Sequence, residues 1–214
     1  MPSPTVIRNF YEGGYYHIFN RGVEKRNIFM DAQDYNIFMY YLFVYLKPLK
    51  EVLARYPDLP IRLYNKNLNS QVDLLSYCLM PNHFHLLIRQ VSLDGITRLL
   101  KQLTNAYTFY FNNKYKRVGG LVQGRFKAVE IFNDDLLLHV SRYIHLNPVV
   151  AEIANDPEEY KWSSYHEYVT RYYLCETRTV LQIFGSVREL KKFTHDQVDY
   201  AKHLERFKHL MLEK

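Results

Sequence analysis

The chain has 214 residues, enough for one domain with a substantial core and additions, and its 48% apolar and 23% charged residues are ordinary for a folded protein. Lysine and arginine number 28 against 22 acidic residues, so the formal net charge is +6, which admits a polyanionic partner without requiring one. The two cysteines, Cys78 and Cys175, are too few and too far apart for a CxxC pair or an all-cysteine zinc cage.

Each cysteine reads as a free thiol in a reducing compartment, Cys78 within a buried strand. The opening MPSPTVIRNF has no continuous apolar stretch of the secretory kind, and no run of the chain is long and apolar enough for a membrane span. The expectation is a cytoplasmic protein. Twenty tyrosines and thirteen phenylalanines bring the aromatic share to 16%. Most of them read as core, but a tyrosine also offers a stacking face and a hydroxyl for phosphates or bases.

In chain order, residues 1–13 read as a lead-in with two prolines, and the aromatic, branched run YYHIFN (15–20) as a strand ending at an Arg-Gly turn. Asp31 is placed to cap a helix through about Tyr45, with Ile37, Tyr41, Val44 and Tyr45 as its apolar stripe and Pro48 as its stop. Residues 47–71 read as an excursion between helix and strand: one or two helical turns in LKEVLARY, then loop through Pro57, Pro60 and the asparagine-rich NKNLNS. Strand patterns follow at 72–80 and 83–90, and the Pro-Asn pair between them predicts an antiparallel hairpin.

Residues 94–113 carry Ile96, Leu99, Leu100, Leu103, Tyr107 and Tyr110 or Phe111 at helical spacing. A basic, glycine-ended loop KYKRVGG leads to a strand over 125–132, then a helix over 134–146 with an Asn or Asp cap and Pro148 just past its end. This order is close to a split βαβ plan: an α+β fold with an antiparallel sheet covered on one face by helices. The expected organisation is a core over 1–150, with the excursion at 47–71, and a mostly helical extension over 151–214.

His83 and His85 lie two apart in the strand segment NHFHLLI, so both imidazoles leave one face of the sheet while Phe84 points into the core. Two imidazoles on one face can bind one divalent ion or hydrogen-bond a phosphate; a bare HxH is more often a pair on a solvated sheet face. Tyr143 and Asn147 are four apart, so they share a face if the helix persists to the asparagine. A phenolic oxygen can attack phosphorus and conserve the phosphodiester as phosphotyrosine, and an amide oxygen suits Mg²⁺ or Mn²⁺ beside imidazoles. The plainer alternative is a buried tyrosine with an asparagine C-cap before Pro148. His145 falls on a different helix face and is the weaker candidate.

Basic residues gather in loops at the predicted sheet margins: Arg21, Lys25 and Arg26 after the first strand, then Lys114, Lys116 and Arg117, and Arg125 and Lys127 around Phe126. Arg142 precedes the candidate nucleophile. Such residues can neutralise phosphates along a single strand while aromatic rings stack on bases, although an individual surface cation is usually just solvated.

With these residues in place the chain resembles the single-tyrosine HUH (IS200-like) transposases, and within them the REP-associated tyrosine transposases. The matching blocks are YHIFNRGVEKRNIF, YCLMPNHFHLLI, LVQGRFKAVEI, and YIHLNPVVA followed by WSSY, in that order over about residues 14–168. The resemblance implies an RRM-like or ferredoxin-like α/β sandwich. It implies metal binding by His83 and His85, with Asn147 as a further ligand and Tyr143 as nucleophile. It also implies nicking of single-stranded DNA near imperfect hairpins, leaving a 5′-phosphotyrosine and a free 3′-hydroxyl, in a monomer or homodimer with Mg²⁺ or Mn²⁺. The 47–71 segment and the C-terminal residues depart from the pattern. The alternatives are a non-catalytic single-stranded nucleic-acid-binding protein derived from such an enzyme, and a metal-dependent nuclease that uses water as nucleophile. The first needs no convergence of the four site residues, and the second forms no covalent adduct.

Overall fold

A computed structural model describes residues 10–170 and 173–197. The hairpin read from the Pro-Asn turn is present: β2 (Val72–Met80) and β3 (His83–Gln90) pair antiparallel, Met80 opposite His83. β1 (Tyr15–Arg21) lies on the other side of β3, and β4 (Lys127–Ile131) on the outside of β1, all antiparallel, giving the order β2-β3-β1-β4. β4 is shorter than the expected 125–132. The order matches the ferredoxin-like split βαβ plan, so the fold class is the α+β architecture expected.

Strand alternation sorts the sheet's residues into two faces. Tyr16, Ile18, Phe84, Leu86 and Ile88 are fully buried on one face, under α1 (Ala32–Leu46) and the 21-residue α4 (Gly95–Tyr115). Helix α1 opens with a capping box between Asp31 and Asp34. Its buried stripe includes Tyr35, Phe38, Leu42 and Tyr45, whereas Ile37 and Tyr41 of the expected stripe are only half-buried. The helix is apolar nearly all round, because its second side is covered in turn by the excursion. There α2 (Leu49–Arg55) and the single turn α3 (Ile61–Tyr64), which the sequence pattern had as loop, pack beside it. The asparagine-rich run finishes α1: the Asn67 amide donates to the carbonyls of Val44 and Lys47, and that of Asn69 to Leu46. These satisfy carbonyls that the end of a helix otherwise leaves open.

The other face is also covered, contrary to the expected one-sided arrangement. Leu75, Cys78, Leu87 and Ile131 form a second core with Ile144 of α5 (Asp134–Val150) and with Tyr160, Tyr165 and Tyr168. Asn133 caps α5, accepting from the Leu136 amide at 2.8 Å. Pro148 does not lie past the helix: α5 runs through it to Val150, with Ala151 as the C-cap. Proline removes one helical hydrogen bond, and in the last turn that loss is tolerated. The asparagine C-cap alternative is thereby removed.

Beyond α5, residues 151–197 contain α6 (Tyr165–Val169), α7 (Arg178–Phe184) and α8 (Val187–His195). This segment is bound to the sheet: the Leu79 amide donates to Trp162, that of Ser164 to Tyr77, and that of Glu176 to Leu74, along the outer edge of β2. The part of the expected helical extension beyond residue 197 lies outside the described residues. No helix of the described residues is long and apolar enough to cross a membrane.

Candidate active site

On the second face, alternation from Arg21 back to Tyr15 and from His83 to Arg89 brings His17, His83 and His85 together beneath α5. His85 lies opposite Phe19 in the β1–β3 register, and His83 opposite Arg21. The His83 and His85 rings stand 4.9 Å apart at 88°. Helix α5 places Tyr143 over them, 5.5 Å from the His85 ring and 5.8 Å from His17, both edge-on. Tyr143 is half exposed, at 51%, whereas His85 is only 5% exposed and His17 8%. The face is therefore not the exposed one that a bare HxH suggests.

The hydrogen bonds assign the ring nitrogens. Asn82 donates its amide to the Lys25 carbonyl, which turns its oxygen to His83 Nδ1 at 2.6 Å. That nitrogen must carry the proton, leaving Nε2 of His83 with an open lone pair. His85 Nδ1 meets His17 Nε2 at 2.9 Å, so the other nitrogen of His85 is the one turned from its neighbour. A proton on His85 Nδ1 donated to His17 makes His85 Nε2 an acceptor and holds the ring in place, as the outer-shell partners of metal-bound histidines do. Asn147 donates its amide nitrogen to the Tyr143 carbonyl at 2.8 Å, and its side chain lies within reach of His83, where it favours the protonated ring.

Burial keeps these rings neutral. It pushes His17 and His83 down to about 4, with the Arg21 charge adding to the effect at His83 and Asn147 opposing it. Burial holds His85 well below the usual imidazole range, helped by His17 and His83. Neutral imidazoles with directed lone pairs beside an amide oxygen fit a divalent cation.

Residues 57–147 match the family model described as transposase, IS200 like. The chain is similar to the IS200-like transposases. This agrees with the resemblance carried by its motifs, and the matched segment contains His83, His85, Tyr143 and Asn147. A solved structure described as a REP-associated tyrosine transposase bound to a REP hairpin aligns with a TM-score of 0.51 at 15% identity. The alignment covers 81% of this chain and 90% of that one and shows a shared fold. No curated protein matches.

His17 lies outside the segment that matches the IS200-like transposases, and the sequence reading passed over it. The available signal was the alternation in YYHIFN, which puts Tyr15, His17 and Phe19 on one face, but its partner His85 is 68 residues away. His145 is buried in the second core, its Nε2 2.9 Å from the Ser164 hydroxyl, and takes no part in the cluster.

Two of the basic residues read as DNA contacts are committed elsewhere. Lys114 binds Asp31 at 2.7 Å and Asp34 at 2.8 Å, tying the end of α4 to the start of α1. Arg142 stacks on Phe193 at 3.9 Å, donates to the Phe193 carbonyl and meets His139 at 2.6 Å, fastening α8 to α5. Arg26 pairs with Glu24, and Arg117 donates to Asn112. Arg21, Lys25, Lys116, Arg125 and Lys127 are exposed. Among the described residues, Asp156, Glu158 and His195 are grouped closely enough to hold an ion, but they lie on the surface and Lys191 already pairs with Glu158 at 2.6 Å.

The depressed histidines set a pH dependence. An unfolded chain takes up protons near the ordinary imidazole value of 6.5, while folded His17 and His83 refuse them down to about 4 and His145 to about 3. The unfolded state therefore binds more protons in this window, and stability falls as pH drops from about 6.5 towards 4. The metal-free protein should show a falling unfolding midpoint between pH 7 and 4.5, before the carboxylates protonate. A midpoint constant over that range contradicts the assignment.

Proposed function

We propose that this chain cuts and rejoins single-stranded DNA through a covalent bond between Tyr143 and a 5′-phosphate, with a divalent ion, Mg²⁺ or Mn²⁺, held by His83, His85 and Asn147. The observation that carries this reading is the placement of the Tyr143 ring 5.5 Å from His85, with Asn147 one helical turn on and reaching His83. A pure binding protein has no need of that convergence. The likeness to IS200-like transposases supports the same chemistry, and the REP hairpin bound to the solved relative supports a hairpin-bearing strand as substrate.

When bound, the ion polarises the scissile phosphate and offsets charge that develops on its oxygens. Tyr143 supplies the attacking oxygen: its bond to phosphorus forms as the bond to the 3′-oxygen breaks. The phenolic proton passes to solvent and the 3′-oxygen leaves as a hydroxyl. Attack by a 3′-hydroxyl reverses the step, and because one phosphodiester replaces another, joining needs no external energy source. His17 keeps the His85 ring turned to its task. Exposed Arg21, Arg125 and Lys127 meet the DNA backbone.

The test is a His83→Ala, His85→Ala double substitution. Calorimetric titration of the wild-type chain with Mn²⁺ should show one site that the variant lacks, and cleavage of a labelled hairpin strand should fall by about a thousandfold or more. Cleavage at the wild-type rate in the variant overturns the reading.

A further inference from the structure

Residues 95–129 contain no aspartate or glutamate but seven lysines and arginines. Among the described residues, only Lys114 of these seven is engaged in an ion pair. Within this stretch the outer side of α4 and the loop 119–124 enclose a groove of about 480 Å³, inside the roughly 300–1,000 Å³ range of small-ligand sites. Asn105, Thr108 and Phe109 line the helix wall, and Gly120, Val122 and Gly124 the loop wall. Phe109 is 70% exposed, a large apolar ring left in water among amides and hydroxyls.

Both walls are fixed. The Asn112 amide donates to the Gly119 carbonyl at 2.9 Å, and its oxygen accepts from Arg117 at 3.1 Å, so the loop is tied to the helix. On its far side the loop is tied to the end of β1: the Gln123 amide donates to the Arg21 carbonyl at 2.8 Å, and the Val23 amide to Leu121 at 3.0 Å. Gly124, at φ +53°, takes a left-handed turn that a side chain would strain. Arg21 is the residue opposite His83, so the loop wall adjoins the sheet end that carries the histidine pair.

An exposed aromatic face, an amide at its edge and exposed cations close in sequence to the lining residues are the chemistry that captures an unpaired base. Stacking supplies affinity, amides address base edges, and cations take the flanking phosphates. We infer that this groove is a base-binding subsite, in which one unpaired base of the DNA strand stacks on Phe109 with its edge towards Asn105. Lys116 and Arg125 meet the adjoining phosphates, and the strand continues past Arg21 to His83. The inference rests on the proposal that the chain acts on single-stranded DNA, and adds to it where an unpaired base is held.

The experiment is an abasic scan. A labelled hairpin strand with an unpaired flank is compared with copies in which one flanking base at a time is replaced by an abasic unit. At one position the wild-type chain should lose about tenfold in affinity, the worth of one stacked base. Phe109→Ala should bind the intact strand about tenfold more weakly and be indifferent to base removal at that position, while Phe109→Trp keeps both the affinity and the penalty. Because the ring is mostly exposed, the variants should melt with the wild type. A Phe109→Ala chain that binds the intact strand as tightly as wild type, as a ring serving another protein would allow, overturns the subsite alone. A wild-type chain that binds no single-stranded DNA overturns the functional reading and the subsite together.

Discussion

A Tyr143→Phe chain is expected to bind hairpin DNA within about twofold of wild type and to form no covalent adduct, with strand cleavage down by about a thousandfold or more. The substitution removes one oxygen and keeps the ring that stands edge-on to His17 and His85. Packing is hardly involved, since half of the side chain is in water. The readout is denaturing electrophoresis of labelled DNA with Mn²⁺, followed by peptide mapping of the shifted band. The other tyrosines on the helical side of the molecule are poor rivals: Tyr107 is buried and donates to the Ile28 carbonyl, and Tyr110 and Tyr115 both donate to Asp34. An adduct mapped to a peptide without Tyr143, or full cleavage by the phenylalanine variant, refutes the assignment.

The second large effect concerns stability and is independent of catalysis. The side chain of Asp34 is fully buried at the start of α1, where it accepts from the Met30 amide at 2.7 Å, from Tyr110 and Tyr115 at 2.9 and 2.8 Å, and from Lys114 at 2.8 Å. Burial acts to raise its pKa, but Lys114, the Met30 amide and the two phenols outweigh it and hold the carboxyl below its ordinary value. Removing the carboxylate leaves the Met30 amide and two part-buried phenols without their acceptor, while Lys114 keeps Asp31, at a cost of about 3–5 kcal/mol. Asp34→Ala should lose that much in denaturant unfolding, with a midpoint lower by on the order of 10 °C. Asp34→Asn, which keeps the volume and one acceptor, should fall between. A loss under about 1 kcal/mol for the alanine variant contradicts this account.

The same cluster shows where reading the sequence stops. Lys114 stands in a basic loop-side run and looks like a phosphate contact, but its carboxylate partners are 83 and 80 residues away. The same holds for Arg142: Phe193, which it stacks on, is 51 residues further along. Local patterns fared better. The alternation of NHFHLLI and the Pro-Asn turn placed both strands of the hairpin and the facing of His83 and His85, because period and turn chemistry are local properties. The i,i+4 spacing of Tyr143 and Asn147 held because α5 continues through Pro148. The stripe of α1 was misplaced because a helix covered on two sides has little periodicity to read. His17 needed the strand register, which only the folded sheet supplies.

The C-terminal segment along β2 also has a consequence in time. The side-chain hydrogen bonds that join it to the strand span 81 to 93 residues, from Tyr160 to Leu79 and from Tyr168 to Leu75. Synthesis delivers β2, β3 and β4 well before the residues that close that edge. An emerging chain therefore holds a sheet whose outer strand is an open template for pairing, and such edges invite association between chains. Completion waits on contacts of long sequence separation, which are slow to form. A chain stopped after residue 150 would keep that edge open, so a cut between the expected core and its extension should expose β2 to other chains.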